Sequence, residues 1–490
     1  MATAASVAGY SVVETRVGRV RGSIEQGLHV FRGIRYGNAK RFEAPRPVAA
    51  SQTITDALAF GPSAPQRGSA YSPQSEDCLF LNVWSPEARS GPALPVMVYF
   101  HGGAYATGSV ADPLNDGRHL AAKNAVVVTV NHRLNALGYL YLARLDARFP
   151  DSGNAGQLDL VLALQWIRDN IAAFGGDPRR VMVFGQSGGG AKIATLMGMP
   201  AATGLFHRAA TMSGQQVTAS GPMNATARAR AFLARLKTTP AEVATIPVER
   251  IVEALDTVDP IIGGEIYFGP VLDMTWLRRH PFWPDSNPQS NAIPMILGNT
   301  RDETRGFFGR DHPKIVGLGW GNLAERMGPE LRVDIDPSWV VQEYRRMFPA
   351  YTTEQIFFAA TTAGRSWRGQ VDEADARARA NAPTWVYRLD FASPLQPWRG
   401  APHTLDIPLV FGTLDAPGSL TGTGAAARAV SDAMMNHFLG LARNGRARWP
   451  MYRLPQRATM IFDTAARVEN DPRGRERELF ARVPYIQPGT

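Results

Sequence analysis

The chain has 490 residues, 44% of them hydrophobic and 19% charged, a balance that supplies an ample core and excludes a disordered protein. Its net charge of +9 comes from lysines and arginines scattered in runs no longer than a pair, which gives neither the basic stripe nor the module of a nucleic-acid binder. A single cysteine, Cys78, excludes an internal disulfide and a Cys-rich metal site, His-Glu-x-x-His is absent, and no stretch reaches about 18 consecutive apolar residues, so no metal, cofactor or membrane span is expected.

Residues 1–9 are small and uncharged and lack the pattern of a leader. A cytoplasmic chain is therefore expected, or a periplasmic or secreted one if Met1 replaces a removed leader, and the protein is expected to be a monomer or weak homodimer. Residues 11–22 and 28–33 predict short strands of an antiparallel N-terminal hairpin region. Phe31-Arg-Gly-Ile-Arg-Tyr-Gly37 and Arg41-Phe-Glu-Ala-Pro45 read as loop by composition, and Ser75-Glu-Asp-Cys-Leu-Phe-Leu-Asn-Val-Trp84 opens polar and closes as a buried strand.

Residues 95–100 predict a strand that delivers His101-Gly-Gly-Ala-Tyr105 at its C-terminal end, where open α/β sheets place ligands. Small consecutive residues there let the backbone N–H groups of Gly103 and Ala104 point into one volume, as an oxyanion requires. Residues 125–130 read as a central strand, and Gly153-Asn-Ala-Gly-Gln-Leu158 opens a helix that presents Leu160, Leu164, Ile167 and Ile171 on one face before Gly175-Gly-Asp-Pro178.

The next strand, 181–184, and the helix 191–199, ended by Pro200, flank Gly185-Gln-Ser-Gly-Gly189. Ser187 thus falls on a sharp strand-to-helix corner whose neighbours must be small, its hydroxyl pushed clear of the sheet and the Gly188 N–H free as a third oxyanion donor. Residues 206–213 predict a strand ending in Ser213-Gly-Gln-Gln216, residues 222–259 are helical in pattern, and 294–297 form a short strand that emits Gly298-Asn-Thr-Arg-Asp-Glu-Thr304. Helices are expected at 336–348 and 368–380, so 306–382 reads as a helical insertion covering the site within a single domain spanning 1–490. A strand at 384–389, a long helix at 425–441 and a last strand at 459–462 complete an α/β chain with a mostly parallel sheet and helices on both faces.

A serine hydroxyl is a poor nucleophile at neutral pH unless a base takes its proton and an acid orients that base. Where the serine sits on an elbow the chain order is serine, acid, histidine. Of the histidines after Ser187, His207 borders a strand, His437 lies in a helix and His280 precedes Pro281, which leaves His403 in the loop Gly400-Ala-Pro-His as the best base and His312 as the second. For the acid, Asp302 and Glu303 both lie just past a strand, and periodicity does not separate them.

These motifs, in this order, resemble the type-B carboxylesterase family, the cholinesterase-like branch of the α/β-hydrolases that includes bacterial para-nitrobenzyl esterases. The resemblance implies the α/β-hydrolase fold and a serine ester hydrolase working through an acyl-enzyme on a small-molecule ester. It matches Ser187, Glu303 and His403 to the family's triad, Gly103, Ala104 and Gly188 to its oxyanion donors, and Ser213 to a serine that hydrogen-bonds beside the triad. Four positions depart from the family pattern: Gln186 replaces a usual Glu, Gly188 a common Ala and so is expected to loosen the elbow, Arg35 a usual Pro, and Cys78 faces Ala64 where secreted relatives have a disulfide partner. By position Tyr105, Gln215, Gln216, Phe307 and Phe308 lie near the site as candidate substrate contacts. The alternatives are a non-catalytic adhesion or binding homologue, and an acyltransferase or amidase on the same triad.

Overall fold

Runs of valine, methionine and aromatic residues that are apolar on both faces occupy the centre of the molecule, as the burial of a parallel sheet requires. The computed structural model describes residues 9–86 and 92–485, so of the stretch 1–9 only Gly9 is among the described residues. Its strands are β1 (Tyr10–Thr15), β2 (Gly18–Glu25), β3 (Leu28–Arg35), β4 (Thr55–Asp56), β5 (Phe80–Pro86), β6 (Leu94–Phe100), β7 (Val126–Val130), β8 (Gly176–Gln186), β9 (Arg208–Met212), β10 (Met295–Thr300), β11 (Thr384–Leu389), β12 (Ala458–Phe462) and β13 (Arg467–Asn470). They form one 13-stranded sheet in the order β1-β2-β3-β5-β7-β6-β8-β9-β10-β11-β12-β13, with β4 paired to β2. From β7 to β12 every neighbouring pair is parallel. The first strands and the β12–β13 pair are antiparallel.

Strand alternation divides the core. Val96, Val98, Phe100, Val128 and Val183 face the helix Ala155–Asn170 (α1), whose Leu160, Leu164 and Ile167 cover them as its spacing predicts. Met97, Tyr99, Val127, Met182 and Phe184 face the opposite layer, where Phe411 and Phe438 pack. Each fully buried side chain of this size contributes about 1.5–3 kcal/mol, so the two layers hold the strand ends rigidly in register. Below the site, the buried ion pair of Arg133 with Asp159 (2.6 Å) ties the end of β7 to α1.

The remaining helices used below are α2 (Gly188–Leu196), α3 (Pro222–Leu236), α4 (Leu323–Leu331), α5 (Pro337–Met347), α6 (Thr353–Thr361), α7 (Arg368–Arg379), α8 (Asp406–Phe411) and α9 (Ala425–Asn444). Helices α4, α5 and α6 share an apolar cluster of their own, built on Leu323, Met327, Val340, Tyr344, Ile356 and Phe357.

Four expectations need correction. The stretch beginning at Phe31 is not loop but the second half of β3: Gly33, at φ 80°, absorbs a register shift between Phe31 and Ile34, and the strand continues. The strand expected at 294–297 runs on to Thr300, so Gly298, Asn299 and Thr300 are buried sheet residues. Residues 459–462 are not the last strand, because β13 follows as an exposed antiparallel edge whose polar residues carry no apolar alternation. The 306–382 region holds α4 and α6 besides the two expected helices; Gly328 and Pro329 hide the first, and the second is apolar nearly all round.

Candidate active site

Ser187 joins β8 to α2 with φ 54° and ψ −124°, a strained conformation for a residue with a side chain. The turn is over-determined: the Ser187 N–H donates to the Met212 carbonyl of β9 (2.7 Å), and the Ser187 carbonyl accepts from the Ala191 N–H (3.0 Å). A Cβ at Gly189 would lie 1.9 Å from the Phe100 carbonyl oxygen, so only glycine lets the elbow pack against β6. From residue 181 to 190 Ser187 alone is not buried, which leaves its hydroxyl at the surface of the turn.

Strand β6 leads directly into the loop His101-Gly-Gly-Ala-Tyr105, where Gly103 (φ 84°) and Ala104 (φ 52°) both adopt left-handed conformations. Gly103 and Ala104 are exposed at the mouth of the loop. Among the described residues, no backbone carbonyl accepts from the N–H groups of Gly103, Ala104 or Gly188. A Cβ at Gly102 would stand 3.4 Å from the Ser187 Cβ, and one at Gly188 only 1.9 Å from the Ala104 carbonyl oxygen. By lacking a Cβ, Gly188 lets the 102–104 loop close down on the elbow.

On the other side of the elbow, Glu303 opens a 3-10 turn three residues past the end of β10 and is fully buried. Its Oε1 accepts from Ser213 Oγ (2.5 Å), Asn299 Nδ2 (3.0 Å) and the Thr300 N–H (2.8 Å). Its Oε2 meets Nδ1 of His403 in a short hydrogen bond. Burial alone would raise this carboxyl, but the adjacent imidazole and the donors from Ser213 and Thr300 bring it below its ordinary value. Asp302 points elsewhere: its Oδ2 accepts from the Ala401 N–H (2.8 Å) and from Arg301 Nε (3.0 Å), fixing the loop that carries His403. The Thr304 hydroxyl lies 2.8 Å from that of Thr361 and 3.0 Å from that of Thr362, which fastens the Glu303 turn to the end of α6.

The His403 ring turns its second nitrogen, Nε2, toward the elbow, where the Gln186 amide nitrogen lies 3.3 Å away. Gln186 is buried and so contacts the imidazole itself. His312, the second candidate, instead packs its ring on Phe308 at 4.9 Å.

The candidate substrate contacts divide. Phe307 is 40% exposed and lays its ring 4.7 Å from that of His403, with the Arg365 guanidinium also over the ring. Gln215 is half-buried against Gly369. Tyr105 is not a surface contact: it is buried, donates its hydroxyl to Gln216 Oε1 (2.9 Å) and packs edge-on against Tyr139. Gln216 is likewise buried, its N–H donating to Glu373 Oε1 (2.6 Å), and Phe308 belongs to the apolar cluster of the helical region. A cavity of about 310 Å³ opens beside the donor loop, lined by Ala106, Thr107, Asn135, Ile266 and Phe268 with Arg67 among its walls.

Sequence reasoning passed over Lys192, Asn299 and Asp406. Asp406 is fully buried, accepts from the Tyr387 hydroxyl (2.9 Å), and is pushed up to about 7 by burial and by the charge of Glu303. A lone charge inside an apolar run, as at Lys192 and Asp406, was the available signal.

Residues 9–470 match the model of the carboxylesterase family. The chain belongs to that family. It is 34% identical over 501 residues to the para-nitrobenzyl esterase of Bacillus subtilis, covering 96% of this chain and 98% of that protein. It is 30% identical over 482 residues to the fumonisin B1 esterase of Sphingopyxis macrogoltabida, covering 90% and 84%. Among solved structures, a carboxylesterase of Geobacillus stearothermophilus superposes with a TM-score of 0.85 at 35% identity, covering 96% of this chain and 99% of that one. The sheet and its flanking helices are thus the α/β-hydrolase fold of the carboxylesterases, and the protein is a carboxylic ester hydrolase. No helix among the described residues is long and apolar enough to cross a membrane.

Proposed function

We propose that Ser187, His403 and Glu303 form a catalytic triad that hydrolyses small-molecule carboxylic esters through an acyl-enzyme. The observation that carries this reading is the imidazole of His403, joined to buried Glu303 through Nδ1 while its Nε2 stands beside Gln186, the residue before Ser187. Glu303 fixes the tautomer with Nε2 unprotonated and stabilises the imidazolium that forms. His403 takes the Ser187 proton as Oγ attacks the ester carbonyl, and the N–H groups of Gly103, Ala104 and Gly188 hold the oxyanion. The tetrahedral intermediate collapses, the alcohol leaves with the proton from His403, and water deprotonated by the same imidazole releases the acid. Phe307, whose ring lies 4.7 Å from that of His403, borders the reacting centre.

The test is labelling with a fluorophosphonate, read by intact mass together with turnover of p-nitrophenyl butyrate. One adduct per chain, located on Ser187, is expected, with Ser187→Ala unlabelled and reduced in kcat by about 10⁴-fold or more. Turnover retained by Ser187→Ala would refute the assignment.

A further inference from the structure

Lys192 lies one turn into α2 from Ser187 and is fully buried. Its Nζ donates to two carbonyl oxygens, those of His101 (3.2 Å) and Ala104 (3.0 Å), and sits 5.5 Å from the centre of the Tyr105 ring. Carbonyl oxygens, not a carboxylate, are its partners. The other titratable groups around it are two imidazoles, His101 at the end of β6 and His132 after β7, stacked 4.6 Å apart and buried. Burial, with the charge of Lys192, pushes His101 down to about 3 and His132 well below its ordinary value, so both rings are neutral at neutral pH. Burial also lowers the lysine, to about 7, so near neutral pH it is partly charged while both imidazoles are neutral.

The two carbonyls bracket residues 102–104, the segment that packs on the elbow through Gly102 and Ala104. That segment has two consecutive left-handed residues, one of them an alanine, a conformation that persists only where the surroundings over-determine it. The Ala104 carbonyl bonded to Lys192 is the same atom that a Cβ on Gly188 would strike. We propose that Lys192 is a positioning residue for oxyanion stabilisation: one ammonium ties both ends of the 102–104 segment, sets the Gly103 and Ala104 N–H groups over Ser187, and places positive charge behind the developing oxyanion. A preorganised charge in a water-excluded site acts on the transition state more than on the bound ester, so its loss falls on kcat. This inference rests on the donor assignment made under Proposed function.

The experiment compares Lys192→Met, which removes charge and bonds at similar volume, with Lys192→Gln, which keeps an N–H donor without charge. Melting temperature, kcat and KM for p-nitrophenyl butyrate, and inhibition by an aryl trifluoromethyl ketone, which forms an oxyanion adduct on the serine, are measured on each. For Lys192→Met, kcat falls about 10–100-fold, KM stays within about twofold, and ketone affinity weakens by a factor similar to that in kcat, since losing one direct donor costs about 10²–10³ and this residue acts at one remove. Lys192→Gln falls between the two, and it carries the test if the methionine variant does not fold. A folded variant with wild-type kcat and ketone affinity overturns the proposal, as does a loss confined to KM. If Ser187→Ala still turns over, the donor assignment itself has failed; if that variant is dead while Lys192→Met and Lys192→Gln behave as wild type, only the role of Lys192 has failed.

Discussion

Replacing Gln186 by glutamate puts a carboxylate where an amide now stands 3.3 Å from Nε2 of His403. Two unit charges at that separation attract by about 5 kcal/mol at an effective dielectric near 20 and by about 1.3 kcal/mol in bulk water. The His403 side chain is 8% exposed, which favours the protein end of this range, while burial opposes ionisation of the new carboxylate, so only part of the attraction is realised. The net effect expected is about 1.4–2.7 kcal/mol in favour of the imidazolium, or about one to two pH units. Turnover needs the neutral ring, so the acid limb of kcat/KM moves to higher pH by that amount, with the alkaline plateau nearly preserved. The assay is kcat/KM for p-nitrophenyl butyrate from pH 5 to 9 at constant ionic strength, with Gln186→Leu as an uncharged control whose limb stays near that of the wild type. An acid limb that does not move in Gln186→Glu, or moves down, would show that Gln186 does not adjoin the working base.

Gly188→Ala forces a methyl to within 1.9 Å of the Ala104 carbonyl oxygen, so the donor loop must retreat; a stability loss of about 1–3 kcal/mol in urea melts and a lowered kcat are expected, and wild-type values for both would contradict the close packing. Ser213→Ala removes one of three donors from Glu303 Oε1 and leaves those of Asn299 and Thr300, so kcat falls about tenfold with KM unchanged; a change confined to KM would speak against it. Burial raises the Glu373 carboxyl from 4.5 to about 8, so the folded chain binds more protons than the unfolded one between those values and this group's contribution is lost as pH rises through about 8. Glu373→Gln removes that slope, and its melting temperature relative to wild type therefore climbs from pH 5 to pH 9, by the equivalent of a few kcal/mol; a constant difference would refute the burial argument.

The centre of the fold was legible because buried parallel strands leave unbroken apolar runs, as at 125–130 and 181–184, and because glycines crowd wherever backbone must touch backbone around Ser187. The periphery was not. Strand β13 is exposed and polar, and α4 carries a proline at Pro329, so neither displays the period of its element. In the site, periodicity did not rank the adjacent acids, and only the family resemblance chose Glu303, because the 3-10 turn after β10 sends Glu303 inward and Asp302 toward the His403 loop, a choice of backbone and not of composition. The burial of Tyr105 and Gln216 was not legible either, because it comes from partners distant in sequence, as in the bond of the Gln216 N–H to Glu373. The carboxylesterase pattern supplied a role for Gly188 and marked Gln186 as a departure by position, and only the coordinates gave the contacts that each makes with Ala104 and His403.

The threonine knot joining residue 304 to residues 361 and 362 couples two bodies that otherwise keep separate apolar clusters, the sheet and the helices above it. Ser187 and His403 ride on the sheet body, while the Glu303 turn is bolted to both. Warming that softens the helical seam would drag the carboxylate off its imidazole before a single strand lets go, so inactivation should precede melting. Engineering for heat tolerance is accordingly best aimed at that seam.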